Sequence, residues 1–174
     1  MINTRNIHLT FLFSGILLLT TLQSCQQQPS VEQLVADGQR LTQKAKELHS
    51  RHCLLQHQAD SIWANLAEAM DKGIPKDFAP TDRSIFMNSR SLDHITMFKS
   101  FKMLDTSLRQ LAYQTGEADK AIADQIRKTN EELSHFETEK MHLLMQLEHK
   151  DASKAIQFRN AIMKEMETPC PSKH

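Results

Sequence analysis

The chain has 174 residues, 40% of them hydrophobic and 24% charged, and its 21 Lys and Arg balance 21 Asp and Glu, so the formal net charge is zero. That length suits one domain with a sizeable core, and a balanced chain without a basic block lacks the electrostatic footprint of a nucleic-acid binder. Only four glycines are present, and none belongs to a phosphate-cradling loop.

Residues 1–24 read as a secretory signal peptide. Arg5 supplies the positive n-region, and Leu9 to Leu22 forms an apolar run broken only by Thr10, Ser14, Gly15, Thr20 and Thr21. The run is shorter than the roughly 20 apolar residues a membrane span needs. It closes on Leu22-Gln23-Ser24-Cys25, with Leu at the third position before Cys and a small residue just before it. This stretch resembles the lipobox of bacterial lipoprotein precursors, a resemblance confined to the N-terminal segment. It implies cleavage before Cys25 and lipidation of Cys25, with a diacylglyceryl group on the thiol and an acyl chain on the new amino terminus. No other cofactor is expected.

Two or more acyl chains hold a protein to a membrane without help from a basic patch. Cys25 and the residues to Ser30 make a polar tether with one proline, Pro29, too short to project a domain far from the bilayer. Some bacterial groups mark surface-exposed lipoproteins with an acidic run after the Cys, and this tether has none. By that analogy the protein is expected in the cell envelope, anchored in the outer membrane and facing the periplasm. Residues 31–168 are then expected to form a single helical domain, followed by a tail over 169–174.

The expected fold is all-α, an antiparallel bundle of three long helices at about 31–72, 82–115 and 117–166. Ser30 and Gln33 have the capping-box spacing that starts the first helix. A seven-residue ladder follows, Leu34, Leu41, Leu48, Leu55, Ile62 and Ala69, with Val31, Gly38, Ala45, His52, Ala59 and Leu66 at the companion seam. Gly73, suited to the left-handed position, and Pro75 end it. The small residues Gly38, Ala45 and Ala59 allow a close approach, either by another part of the chain or by a docking partner.

After the loop Gly73 to Pro80, Thr81 or Asp82 caps a second helix carrying Met97, Phe101, Leu104, Leu108 and Leu111 at four- and three-residue steps. A tight turn is expected at Thr115-Gly116-Glu117. The third helix shows Ile122, Ile126, Leu133, Phe136, Leu143 and Leu147 in phase, interrupted by Thr129 and Lys140. Residues 148–154 then offer almost nothing to bury before Ala155, Phe158, Ile162 and Met166 resume the pattern, which Pro169 and Pro171 stop. Either the helix continues through a stutter, or the chain reverses near Asp151 and a four-helix bundle results.

With Cys25 lipidated, Cys53 and Cys170 remain, and an exported chain can pair them. Cys53 lies about 33 Å along the first helix, whereas a continuous third helix carries Cys170 to about 85 Å. A disulfide needs Cα atoms within about 7 Å. An intramolecular Cys53–Cys170 bond therefore requires the reversal. An intermolecular bond or two free thiols are the alternatives.

The one cluster with chemical potential is His49, His52, Cys53 and His57, four soft-metal ligand types on one helix, of which His49, Cys53 and His57 recur every four residues. His135, His142 and His149 recur every seven on the third helix, outside the seam, where a solvated face is expected. Glu131 and Glu132 are helix neighbours that point apart rather than an acid/base pair. No nucleophile elbow and no CxxCH are present. Met70, Met97, Met103 and Met145 read as core filler rather than haem ligands.

No catalytic residue is assigned, and the chain is not expected to be an enzyme. The function expected is a lipid-anchored helical interaction or scaffold protein of the bacterial envelope. Its partners would be the membrane, through the lipid on Cys25, and a second protein or another copy of itself, but no nucleic acid. The alternative is a periplasmic metal-binding protein using His49, His52, Cys53 and His57.

Overall fold

The computed structural model describes residues 28–171. The expected signal peptide, its cleavage site and the expected lipidation of Cys25 lie outside the described residues. The fold is all-α, with no strand among the described residues, and its helices are α1 (Val31–Gly73), α2 (Pro80–Asn88), α3 (Leu92–Thr96), α4 (Thr106–Lys150) and α5 (Ala152–Glu167), with a 3-10 helix at Lys99–Met103 between α3 and α4. None of these helices is long and apolar enough to cross a membrane.

α1 starts on the expected capping box. The Ser30 hydroxyl accepts from the Gln33 amide at 3.2 Å, and the Gln33 side chain accepts from the Ser30 amide at 2.8 Å. Its ladder holds through Leu34, Leu41, Leu48 and Leu55, which are buried. Beyond Leu55 the phase moves by one residue: Trp63 and Met70 are buried, while Ile62 and Ala69 are only half-buried. A strict heptad drifts around a straight helix by about 20° per repeat, and the four-residue step from Ala59 to Trp63 removes that drift. Gly73 is the last helical residue, and the chain leaves through an extended Ile74, whose amide bonds the Met70 carbonyl at 3.0 Å. No described glycine has positive φ, so the left-handed ending expected at Gly73 does not form. Its missing Cβ serves packing instead, since a methyl there would meet the Leu108 side chain at 2.8 Å.

The expected second helix over 82–115 and the turn at Gly116 are both corrected. α2 begins on Pro80, ahead of the expected Thr81 or Asp82 cap, and ends at Asn88. Ser91 caps the short α3 by accepting from the His94 amide at 3.3 Å. Phe86 lies 6.0, 6.2 and 6.3 Å from the rings of Phe78, Phe98 and Phe101. That cluster, with Ile95 and Leu104 buried beside it, rewards a folded-back chain over a straight helix. Met97, which opened the expected apolar face, is 80% exposed.

Asp105 then caps α4, accepting from the Ser107 amide at 2.7 Å, and the helix runs unbroken through Gly116 to Lys150. Gly116 is a close-approach residue rather than a turn, for a Cβ there would fall 2.5 Å from the Leu92 side chain. The long helices α1 and α4 are antiparallel. Arg51 Nη1 donates to both carboxylate oxygens of Glu132 at 2.8 Å, Lys44 pairs with Glu139 at 3.0 Å, and the Trp63 indole N–H donates to Asp119 at 3.0 Å.

The chain does reverse at Asp151, which ends one helix and starts the next. Its amide bonds the Leu147 carbonyl at 2.6 Å, closing α4, while its carboxylate accepts from the Lys154 amide at 3.0 Å, capping α5. The reversal sits beside the start of α1, where Lys150 Nζ donates to the Pro29 carbonyl at 2.6 Å. α5 therefore runs alongside α1 in the same direction. Phe158 packs on Gly38, and Cys170, beyond the helix end, is disulfide-bonded to Cys53 with Cα atoms 5.3 Å apart.

Two apolar cores result. The lower one joins α1, α4 and α5 through Leu34, Leu41, Leu48, Phe136, Leu147, Phe158 and Ile162. The upper one gathers Trp63, Leu66 and Met70 of α1 with Phe86, Ile95 and Phe101 of the short helices. The small-residue seam at Gly38 is thus filled from within by the Phe158 ring. Burying a ring of that size contributes about 1.5–3 kcal/mol.

Candidate functional site

The only described group of three His, Cys, Asp or Glu side chains close enough to share one ion is His49, Cys53 and Cys170. α1 supplies the first two. Residues four apart on a helix lie one above the other, so His49, Cys53 and His57 form a column that lines one cleft of about 260 Å³. The opposite wall is built by the end of α5 and the chain beyond it, with Glu165, Thr168, Pro169 and Pro171. Pro169 has no amide to donate and restricts Thr168 to an extended backbone, so α5 ends there. The Thr168 hydroxyl bonds back to the Lys164 carbonyl at 2.7 Å. From the extended Thr168 the chain then carries Cys170 across to α1.

His49 Nε2 lies 3.5 Å from Cys53 Sγ. The ligand atoms of His49, Cys53 and Cys170 all fall within 4.8 Å of one another. Cys53 is buried at 3% exposure, whereas His49 and Cys170 are half-buried at the mouth of the cleft. His57 lines the same cleft, and its Nε2 is enclosed with no hydrogen-bond partner. With the sulfurs joined to each other, neither is a thiolate, and the oxidised cluster offers a metal only imidazole nitrogen.

Of the residues singled out from the sequence, His49, Cys53 and His57 therefore share a cleft. His52 does not line it. It occupies a half-buried seam position between Leu48 and Leu55, its Nδ1 enclosed without a partner. Cys170 was legible as a bridging cysteine, but nothing in its local sequence places it beside His49. That placement needs the reversal at Asp151.

The remaining chemical suspects are structural. His135, His142 and His149 are exposed on α4. Glu131 pairs with Arg127 at 2.9 Å on its own helix, while Glu132 reaches across to Arg51, so the two carboxylates point apart. Met70 is core filler, but Met97, Met103 and Met145 are corrected to surface residues, at 80%, 74% and 51% exposure. No family model, curated protein or solved structure matches the chain.

Proposed function

We propose that the chain is a lipid-anchored helical scaffold of a bacterial cell envelope. Acyl chains on Cys25 hold it to the outer membrane on the periplasmic side, and its far end engages a protein partner. The observation that carries this reading is the Cys53–Cys170 bridge, because such bonds persist in exported proteins and are rare in reducing compartments. It agrees with the lipobox-like Leu22-Gln23-Ser24-Cys25, a signal read from a wholly separate part of the chain.

The shape suits the role. α1 has 43 residues, a rod of about 65 Å at 1.5 Å per residue, with the tether at one end. The aromatic head, residues 74–105, sits at the other and presents the exposed side chains of Met97 and Met103. Methionine surfaces adapt to partner shapes.

Two linked measurements test the proposal. Expressed in a Gram-negative bacterium, the chain should incorporate labelled palmitate and sediment with outer membranes, and Cys25→Ala should abolish both. A photo-reactive residue at position 97 or 103 should then give a discrete adduct that one at Glu137, on the α4 surface, does not. Palmitate incorporation that survives Cys25→Ala would sink the anchor. Identical adduct patterns at all three positions would sink the head as the docking end.

A further inference from the structure

We infer that the Cys53–Cys170 disulfide is the gate of a metal site. Once it is reduced, the two thiolates and the imidazole of His49 take up a zinc-class divalent cation, with His57 as the fourth ligand. The inference is independent of the scaffold reading.

The geometry of the cluster is already close to a coordination sphere. A tetrahedral zinc with Zn–S of about 2.3 Å and Zn–N of about 2.0–2.1 Å sets its sulfur and nitrogen ligands about 3.5 Å apart. His49 Nε2 lies 3.5 Å from Cys53 Sγ. Among these three ligands the adjustment left is between the sulfurs, which must part from a bond of about 2.0 Å to the roughly 3.8 Å of a tetrahedral edge; His57 stands outside the group whose ligand atoms lie within 4.8 Å of one another, and its side chain must turn toward it. Cys170 can supply the parting of the sulfurs, because it lies beyond the end of α5, outside any helix. The backbones of His49, Cys53 and His57 stay fixed on α1. A structural zinc site needs four ligands, and His57 lines the same cleft with an enclosed Nε2 that bonds to nothing.

The chemistry balances with a thiol reductant. Two electrons from a protein or small-molecule dithiol break the S–S bond, the dithiol becomes a disulfide, and its two protons pass to Cys53 and Cys170. Binding of the cation then displaces both protons to solvent. In reverse, a disulfide oxidant removes two electrons from the thiolate pair, the Cys53–Cys170 bond reforms, and one cation leaves for each bond made. Cys170 is the sulfur that an incoming thiolate reaches first, since it is half-buried at the cleft mouth while Cys53 is buried. Cation affinity is thereby tied to the redox poise of the compartment.

The test uses the chain from Gln26 to His174, which contains every residue of the described fold. It is titrated with cobalt(II) alone, oxidised and after reduction with a non-chelating phosphine under nitrogen. The reduced protein should show a thiolate-to-cobalt charge-transfer band that saturates at one equivalent, and the oxidised protein should show none. His49→Ala should weaken the reduced complex by about tenfold or more, and Cys170→Ser should abolish the band. A small disulfide oxidant added to the zinc-loaded protein should release one zinc per bond formed, read with a chromogenic chelator. Equal binding by both redox forms overturns the proposal, as does a reduced form without stoichiometric binding. Circular dichroism recorded in parallel separates loss of fold from loss of ligands: a reduced chain that loses helix and does not regain it with zinc also overturns it.

Discussion

Gly38→Ala is a substitution whose sign the structure decides. In an exposed helix interior, replacing Gly by Ala gains about 1 kcal/mol of helix propensity. Here the new Cβ would lie 2.7 Å from two carbons of the Phe158 ring and 2.8 Å from a third. Carbon pairs pack best at about 3.5–4.0 Å, so the overlap is about 1 Å. Phe158 cannot swing aside, because it is 7% exposed and belongs to the lower core with Leu34, Leu41 and Ile162. α5 must move instead, and overpacking of this kind costs about 1–3 kcal/mol. The net change is therefore a loss of up to about 2 kcal/mol, or a few degrees in Tm for a chain of this size. In a Phe158→Ala background, itself about 3–5 kcal/mol less stable, the same methyl faces a void, and Gly38→Ala should stabilise by about 1 kcal/mol. Urea denaturation of the four proteins, followed by circular dichroism, measures the coupling. If Gly38→Ala stabilises equally in both backgrounds, α5 is not seated on Gly38 and the Phe158 ring does not fill the seam there.

Three further outcomes follow from single contacts. Trp63 is the only tryptophan and is 5% exposed; Asp119→Ala orphans its indole N–H and should cost about 1–3 kcal/mol, visible in the fluorescence unfolding midpoint, while Asp119→Asn should cost less. The disulfide closes a loop of 117 residues, so Cys170→Ala should remove up to about 5 kcal/mol by chain entropy, and hydrogen exchange should show α5 amides losing protection before those of α1 and α4. Equal loss across all three helices would contradict α5 as the layer the bridge clamps. The Asp105 carboxyl titrates below the ordinary aspartate range because the Ser107 hydroxyl and then the Ser107 amide donate to it. Its capping contribution is therefore complete above the unfolded value of about 3.9 and fades as the pH falls through the lower folded value. A carboxyl carbon titration should show that low midpoint, moved back up by Ser107→Ala, and an ordinary midpoint in the parent protein would refute the cap.

Helix content and the course of α1 were readable because periodicity, capping box and end signals agreed along one element. The upper half departs from its sequence pattern for identifiable reasons. Gly116 has the residue type of a turn, yet Leu108, Thr115, Ile122, Thr129, Phe136 and Leu143 keep one seven-residue phase straight through it and all are buried. Phase continuity was the better guide, and Asp105 ahead of Leu108 was a legible N-cap. The breaks at Ser89–Ser91 and Phe98 were harder to see. They depend on Phe86 collecting aromatic neighbours from three segments, a tertiary preference that outweighs local helix propensity.

The reversal at Asp151 shows why the candidate site was only half visible. No glycine or proline marks it, yet an aspartate followed three residues later by an unpaired amide is enough to end one helix and begin another, as its bonds to Leu147 and Lys154 show. Helix geometry alone brings His49, Cys53 and His57 together, since four-residue spacing stacks them. It cannot supply Cys170, which is 117 residues away from Cys53 in sequence and reaches the cleft only because α4 returns to the start of α1 and α5 climbs back along it. The cluster thus depends on long-range topology at one sulfur and on local periodicity at its other ligands. That division predicts different behaviours for the two halves. Asp151→Ala, which loses a cap contributing about 1 kcal/mol, should loosen Cys170 and slow reoxidation of the reduced bridge while leaving the helix around His49 and Cys53 intact. Thiol-trapping kinetics read the first effect and hydrogen exchange in α1 reads the second, so a variant that reoxidises at the parent rate would show that the cap does not govern the approach of Cys170.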